Sequence, residues 1–524
     1  MRRSALALLL FAAAKLASAL TLTILHTSDL HGRVHPHDAL ADRDLGEGLA
    51  RVAAAVKAIR AEGSIVLLLD SGDTIQGSPE QALAFAGRAG DGTDPIVRAM
   101  NLAGYDAMAI GNHEFDFGKT RLEKSRKEAR FAWLSANTLG PDGDPAFPPY
   151  VVREIAGVRV GILGLVTNQV GNWISPALLE RVRFTEPVAI ARRWVPILRG
   201  EERCDLVIVV THQGFERDPS TGKDGGAENR TENRAYALAT QVPGIDLLLT
   251  GHAHTTVSPQ RLGGTWVSQP GRWGNTLTRY DLTLARKGEA WSLTGVRGRN
   301  LPMKKVQPDP QVMAAVSAEH GAAMRALAEK VADLASPVSA RRVRFEDAAL
   351  LDWLHAVQLR EGGAELSFCA LLPARFTDWP AGPLTARQIW QFYPYENSLV
   401  TLKATGREVR DALERSAECL ADPAQRLRSC DTLEGAEYTL DPRRRRGERV
   451  VSLTRGGRAI ADTDSFTVAL NSYRAGGGGG YGMWKRAERL RETGGLRDML
   501  IADARAKKRL KLEASRNWSV VQLP

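Results

Sequence analysis

Short runs of Val, Ile, Leu and Ala recur from Leu22 to about Leu301, each followed by turn residues or a polar cluster: residues 21–25, 65–69, 107–110, 158–165, 206–210 and 245–249. These runs are apolar throughout rather than alternating, the pattern of strands buried on both faces of a parallel sheet. Helical patterns lie between them, such as the alanine-rich stretch 49–60 and the charged stretch 119–130. Alternating strand and helix predicts an α/β fold. Parallel strands bring the polar residues that follow them to one carboxyl edge, where ligands bind in such folds.

The pattern changes after Pro308 and Pro310. Met324, Leu327, Val331 and Leu334 fall on one helical face of an alanine-rich stretch that ends before Pro337, which predicts a linker helix. Beyond it a second, α+β domain is expected, with a helix near 347–359, a Pro/Gly segment at 373–383, a strand at 398–402 and an alternating strand at 465–470. The predicted boundaries are 1–19 for a leader, 20–305 for the first domain, 306–337 for the linker and 338–524 for the second domain. A length of 524 residues, 44% of them hydrophobic and 25% charged, is consistent with more than one globular core.

The opening segment has basic residues at Arg2 and Arg3, an apolar stretch from Ala5 to Ala14, and small residues at Ala17 and Ala19. This predicts a signal peptide cleaved after Ala19, and a periplasmic or secreted mature protein. A membrane anchor fits less well, since the apolar run stops at Lys15, short of the roughly 20 residues that span a bilayer. The formal charge of +10 includes Arg2, Arg3 and Lys15, so the mature chain is only mildly basic. The arginine run 443–446 has no interleaved aromatic residues and reads as a solvated turn, not a nucleic-acid footprint. Of the four cysteines, Cys419 and Cys430 are close enough in sequence to bridge a short loop, and two free thiols are an equal alternative. No nucleic-acid polymer and no membrane span are expected as partners.

Candidate chemistry stands at the strand ends: Asp29-Leu-His31, Gly72-Asp73, Gly111-Asn112-His113-Glu114, Thr211-His212 and Gly251-His252-Ala253-His254. Any one of these is ordinarily a cap or a satisfied polar group. Five at successive strand ends point to a metal centre. Imidazole nitrogen with carboxylate oxygen suits zinc, manganese, cobalt, nickel or iron, and a carboxylate can bridge two such ions.

In order along the chain, DLHG, GDTIQG, GNHEFDFG, THQG and GHAHT match the motif set of the calcineurin-like metallophosphoesterases, and GNHEFD resembles the 5′-nucleotidase branch. The resemblance implies a four-layer α/β/β/α sandwich with two mixed sheets and two divalent metal ions. It implies Asp29, His31 and His254 on one ion, Asn112, His212 and His252 on the other, and Asp73 bridging. His113 is then the unliganded acid or transition-state stabiliser, oriented by Asp116; for Asp116 the alternative is a cap on the following helix. Arg33 has two readings, a phosphate contact or a salt-bridge partner.

Residues 392–417 and 469–484 resemble the nucleotidase C-terminal domain, which implies a nucleotide substrate held by aromatic stacking on its base. Tyr481, after the glycine run, is the expected stacking ring, and Arg375 in LLPARF is the expected phosphate or ribose contact. The resemblance implies metal-dependent hydrolysis of nucleotide phosphate esters for extracytoplasmic nucleotide salvage. The chain resembles both 5′-nucleotidases and 2′,3′-cyclic-nucleotide phosphodiesterase/3′-nucleotidases, so the position of the ester stays open. Two rival functions are a dimanganese thiosulfohydrolase of sulfur oxidation and an inactive exported nucleotide-binding protein.

Overall fold

The structure is a computed structural model that describes residues 19–288, 290–343, 345–370, 378–421 and 430–521. The proposed leader, apart from Ala19, and Arg375 lie outside the described residues.

The buried apolar runs pair as two six-stranded sheets. In one, Ala19–Thr27, Ile65–Asp70, Ala107–Ala109 and Ala132–Leu134 are parallel neighbours, and the antiparallel Thr276–Lys287 and Ala290–Pro302 close one edge. In the other, Val158–Val166, Leu206–His212, Leu247–Thr250 and Thr265–Pro270 are parallel neighbours, with antiparallel Tyr150–Ile155 and Thr256–Leu262 at the edges. Leu22, Ile24 and Leu67 from the first sheet share one core with Ile162, Ile208 and Leu249 from the second. The helix Leu49–Ala61 packs on the outer face of the first sheet and Pro187–Gly200 on that of the second. This gives the four expected layers. Because the inner strands are parallel, their carboxyl ends converge at one edge of the sandwich.

The linker helix is shorter than its sequence period implies. Pro310–Ala315 and Ser317–Ala328 are helical, but Glu329 turns extended and Lys330–Leu334 is a strand paired with Gly382–Thr385 and Arg509–Leu510. Val331 and Leu334 repeat at helical spacing, yet pairing lets them fill a core with Trp353, Leu384 and Leu510, and tertiary burial outweighs local propensity.

The second domain is α+β. Its central sheet runs Thr432–Glu434, Leu366–Cys369, Ser465–Asn471, Ser398–Thr405 and Glu488–Gly495, flanked by the helices Ala349–Gly362, Gly406–Ala421 and Leu496–Lys507. Cys419 and Cys430 are bridged. The two domains touch away from the linker as well. Gln391 donates to the carbonyl of Leu40 at 2.6 Å, Arg387 pairs with Asp42, and the Ser175 hydroxyl donates to Glu492 at 2.9 Å.

Candidate metal centre and the loop that faces it

Every predicted ligand follows or ends an inner strand, and the structure brings all seven to the convergent edge. Asp29, His31, Asp73 and Asn112 come from the first sheet; His212, His252 and His254 come from the second. Reaching one point from several strand ends requires abrupt turns. Asp29, His31, Asp73, His252 and His254 all have positive φ, between 50° and 71°. Left-handed backbone at a non-glycine residue costs on the order of 1 kcal/mol or more. Five such residues within one site mark a geometry held against local preference by its surroundings. Gly111 belongs to that support, since a Cβ there would lie 2.3 Å from Oδ1 of Asp73.

The ligand atoms form two groups. Those of Asp29, His31, Asp73 and His254 lie within 4.8 Å of one another, as do those of Asp73, His212 and His252, so Asp73 belongs to both. Hydrogen bonds set the tautomers. Nδ1 of His212 donates to the carbonyl of Ser71 at 2.6 Å, which leaves the Nε2 lone pair 2.9 Å from Oδ2 of Asp73. At that spacing a shared proton or a metal cation must lie between ring nitrogen and carboxylate, and 2.9 Å suits two ligands of one ion at bonds of about 2.0–2.1 Å. Nδ1 of His31 donates to the carbonyl of Gln76 at 3.0 Å, and its Nε2 stands 2.9 Å from Nε2 of His254. Nε2 of His252 meets Glu232 at 2.6 Å, the carboxylate–imidazole arrangement that orients metal-binding histidines. Oδ1 of Asn112 is buried without a hydrogen-bond partner. The donor set, its tautomers and this unpartnered oxygen fit a pair of divalent ions.

Nδ1 of His113 lies 2.7 Å from Oδ2 of Asp116, and its backbone N–H donates to Oδ1 of Asp73 at 2.9 Å. Burial disfavours a charged ring, but Asp116 and Asp73 outweigh burial and carry the His113 pKa up to about 10. Asp116 does not cap the helix Lys119–Glu128, whose cap is Gly118. Burial also opposes ionisation of Asp73, yet His212 and His113 hold that carboxylate well below its usual range.

Glu114 stands among the strand-end candidates with no role of its own assigned by the motif. It is fully buried, and its carboxylate accepts from the backbone N–H groups of Asp73, Thr74 and Gly111, at 2.9, 2.5 and 2.6 Å. One side chain therefore ties the Asp73 loop to the Asn112 loop. Its place in GNHE, directly after His113, was the available signal.

The expected substrate contacts fare differently. Tyr481 is 0% exposed. Its hydroxyl accepts from the N–H of Asp431 at 2.9 Å and meets Ser416 at 2.9 Å, so this ring is core and does not face a cleft. Tyr473, in NSYRAG at the start of the same glycine run, is 36% exposed and lies against Gly478, where a Cβ would be 2.4 Å from the ring. Arg33 is a salt-bridge partner, paired with Asp38 and 3.6 Å from Glu47 beneath Trp273. The loop carrying Tyr473 reaches the metal domain at residues 170–173, and Trp173 there stacks on the imidazole of His252 at 5.6 Å.

Residues 22–256 match the family described as calcineurin-like phosphoesterase, and residues 326–486 match the 5′-nucleotidase C-terminal domain. The chain belongs to the metallophosphoesterase family that joins these two domains. It is a phosphoric ester hydrolase, and its family binds two divalent metals. A 2′,3′-cyclic-nucleotide 2′-phosphodiesterase/3′-nucleotidase of Salmonella typhimurium is 28% identical, over 90% of this chain and 83% of that protein. A Staphylococcus aureus 5′-nucleotidase structure, solved with alpha-ketoglutarate, superposes with a TM-score of 0.85 at 23% identity, covering 96% of this chain and 100% of the other. The sulfate thiohydrolase SoxB of Thermus thermophilus shares the fold at a TM-score of 0.65 and 20% identity, covering 96% of this chain and 97% of the other. Fold alone therefore does not separate nucleotide from sulfur ester chemistry.

Proposed function

We propose that this enzyme hydrolyses 2′,3′-cyclic nucleotides and 3′-nucleotides outside the cytoplasm. The observation that carries the hydrolytic reading is the pair of ligand groups sharing Asp73 beside a carboxylate-held His113. The nucleotide reading is supported by the C-terminal domain match and by the named activity of the Salmonella relative. That activity also supports the choice of ester.

Asp29, His31 and His254 would hold one ion, Asn112, His212 and His252 the other, with Asp73 between them. Bound there, two divalent ions supply an activated water and neutralise phosphoryl oxygens. The remaining work falls to the chain. Asp116 fixes the His113 ring so that its Nε2–H is presented toward the phosphoryl group, where it donates to the developing negative charge or to the leaving oxygen. Glu114 keeps the Asp73 and Asn112 loops at a constant separation. Tyr473 takes the stacking role expected of Tyr481, since a flat exposed ring accepts any base.

Export is part of the proposal. Among the described residues no helix is long and apolar enough to cross a membrane. Recovery of a chain lacking its first 19 residues from outside the cytoplasm checks it.

Phosphate release and ring opening, measured with 2′,3′-cyclic AMP, 3′-AMP and 5′-AMP before and after chelation, test the activity. The expected order places the first two above the third, with all turnover lost to the chelator and restored by metal. Absence of metal-dependent turnover on every nucleotide, with cleavage of a cysteine-linked thiosulfonate peptide, would transfer the chain to the sulfur ester reading.

A further inference from the structure

Beneath the loop that carries Tyr473 lies a buried ion pair that the chemistry above does not use. Arg474 and Asp431 have side-chain exposures of 4% and 0%. Nε of Arg474 donates to both carboxylate oxygens of Asp431 at 2.9 Å, and Nη2 donates to Oδ1 at 2.7 Å. The third nitrogen, Nη1, donates to the carbonyl of Gly478 at 3.0 Å, and the guanidinium lies 4.4 Å from the Tyr481 ring centre. Tyr481 closes the circuit by accepting from the N–H of Asp431. Asp431 itself follows Cys430, which the disulfide anchors to the helix Gly406–Ala421.

A buried pair of this kind is weak evidence for stability, because desolvation offsets most of its attraction; its better attested use is to select one arrangement among several. The arrangement here is that of a glycine run with little preference of its own. Arg474 grips the run at Gly478, and a Cβ on Gly479 would lie 2.2 Å from Nη1. Gly478, so held, is the residue against which Tyr473 lies. At the other end, Gly476 touches the metal domain at Asn172.

We propose that Asp431 and Arg474 are positioning residues for nucleoside binding: they set where Tyr473 and the glycine loop stand relative to the metal centre, and so govern KM for nucleotides without touching the phosphoryl group. The proposal rests on the reading of Tyr473 as the base-stacking ring.

The test compares nucleotides with glycerol 2-phosphate, a phosphate ester that carries no ring, in the full metal-loaded protein. Asp431→Asn is expected to raise KM for 3′-AMP at least tenfold while kcat/KM for glycerol 2-phosphate stays within twofold and metal content is unchanged. Arg474→Lys, which keeps the charge but loses the forked contact, should fall between Asp431→Asn and wild type. Gly479→Ala keeps both charges and displaces the guanidinium from the loop side. It should reproduce the KM effect, and it serves if Asp431→Asn does not fold. A folded Asp431→Asn or Gly479→Ala with nucleotide KM within twofold of wild type overturns the proposal, as does an equal loss on both substrates. Tyr473→Ala separates the two levels. If it raises nucleotide KM while the other variants do not, the positioning role fails and the stacking reading stands. If Tyr473→Ala leaves KM unchanged, the stacking reading itself falls.

Discussion

A Cβ placed on Gly476 would lie 1.7 Å from the carbonyl oxygen of Asn172. The substrate loop of the second domain thus meets the metal domain backbone to backbone, next to Trp173 and its stacked partner His252. Any rotation of the second domain that opens the cleft must break this contact, and product release requires such an opening if the cleft closes on substrate. Gly476→Ala should hold the domains apart. Nucleotide kcat/KM is expected to fall at least tenfold with two metals still bound; turnover at the wild-type rate would show that this approach is not needed for catalysis.

Asp73 is the one side chain shared by both ligand groups. Asp73→Asn removes the charge that both ions need and leaves the Nε2 of His212 facing an amide. Metal analysis after desalting should show loss at both sites, and kcat should drop by at least two orders of magnitude. Retention of two ions with near-normal turnover would remove Asp73 from the bridging position.

His113 contacts Asp73 and Asp116 but belongs to neither ligand group. His113→Ala should therefore lower kcat by about 10²–10⁴ while the metal content stays at that of wild type. Asp116→Asn should produce a smaller loss of the same kind, because the ring remains but its orientation and charge are less well held. Disappearance of one ion from His113→Ala would instead make this ring a ligand.

Asp352 stands on the helix Ala349–Gly362 of the second domain, with none of the metal ligands among its partners, and offers a pH test apart from them. Burial and the nearby carboxylates of Asp347 and Glu434 raise its pKa to about 7, against the N–H of Ser515, which donates to it at 2.8 Å. A carboxyl whose folded pKa is raised contributes stability below its unfolded pKa and loses it as pH climbs through the folded value. Stability should consequently fall between about pH 4 and pH 7, because the ionised, half-buried Asp352 is crowded by Asp347 and Glu434 more than the Ser515 N–H offsets. Asp352→Asn mimics the protonated acid. Its Tm should match wild type at pH 4.5 and exceed it at pH 8.5, and a difference independent of pH would reject the assignment.

Much of the site was legible from order along the chain. Parallel strands of one sheet end at a common edge, so Asp29, Asp73 and Asn112 converge on the first sheet and His212 and His252 on the second, and packing of the two sheets face to face brings the two edges together. Their assignment as metal donors came from the ordered motif resemblance. The α/β/β/α layering followed from the same periodicity together with the motif resemblance. Glu114 was visible in GNHE but silent, because a carboxylate that holds backbone amides has no spacing signature of its own.

What only the tertiary structure decided was which side of each element faces inward. Tyr473 and Tyr481 flank the same glycine run, and the resemblance pointed to Tyr481. Burial of Tyr481 against Asp431 and Ser416 leaves Tyr473 as the exposed ring. Val331 and Leu334 continue a helical period, yet pairing with Gly382–Thr385 makes them a strand. Cys419 and Cys430 could be free or bridged until the helix Gly406–Ala421 and the strand Thr432–Glu434 brought them together. The physical reason is common to all three. The order of strands along the chain and the residues that follow them are properties of local sequence, whereas burial and the fate of a marginal helix depend on partners dozens of residues away, and even the disulfide, across 11 residues, needs the fold to bring its ends together. Such contact energies outweigh local preferences of a few tenths of a kcal/mol per residue.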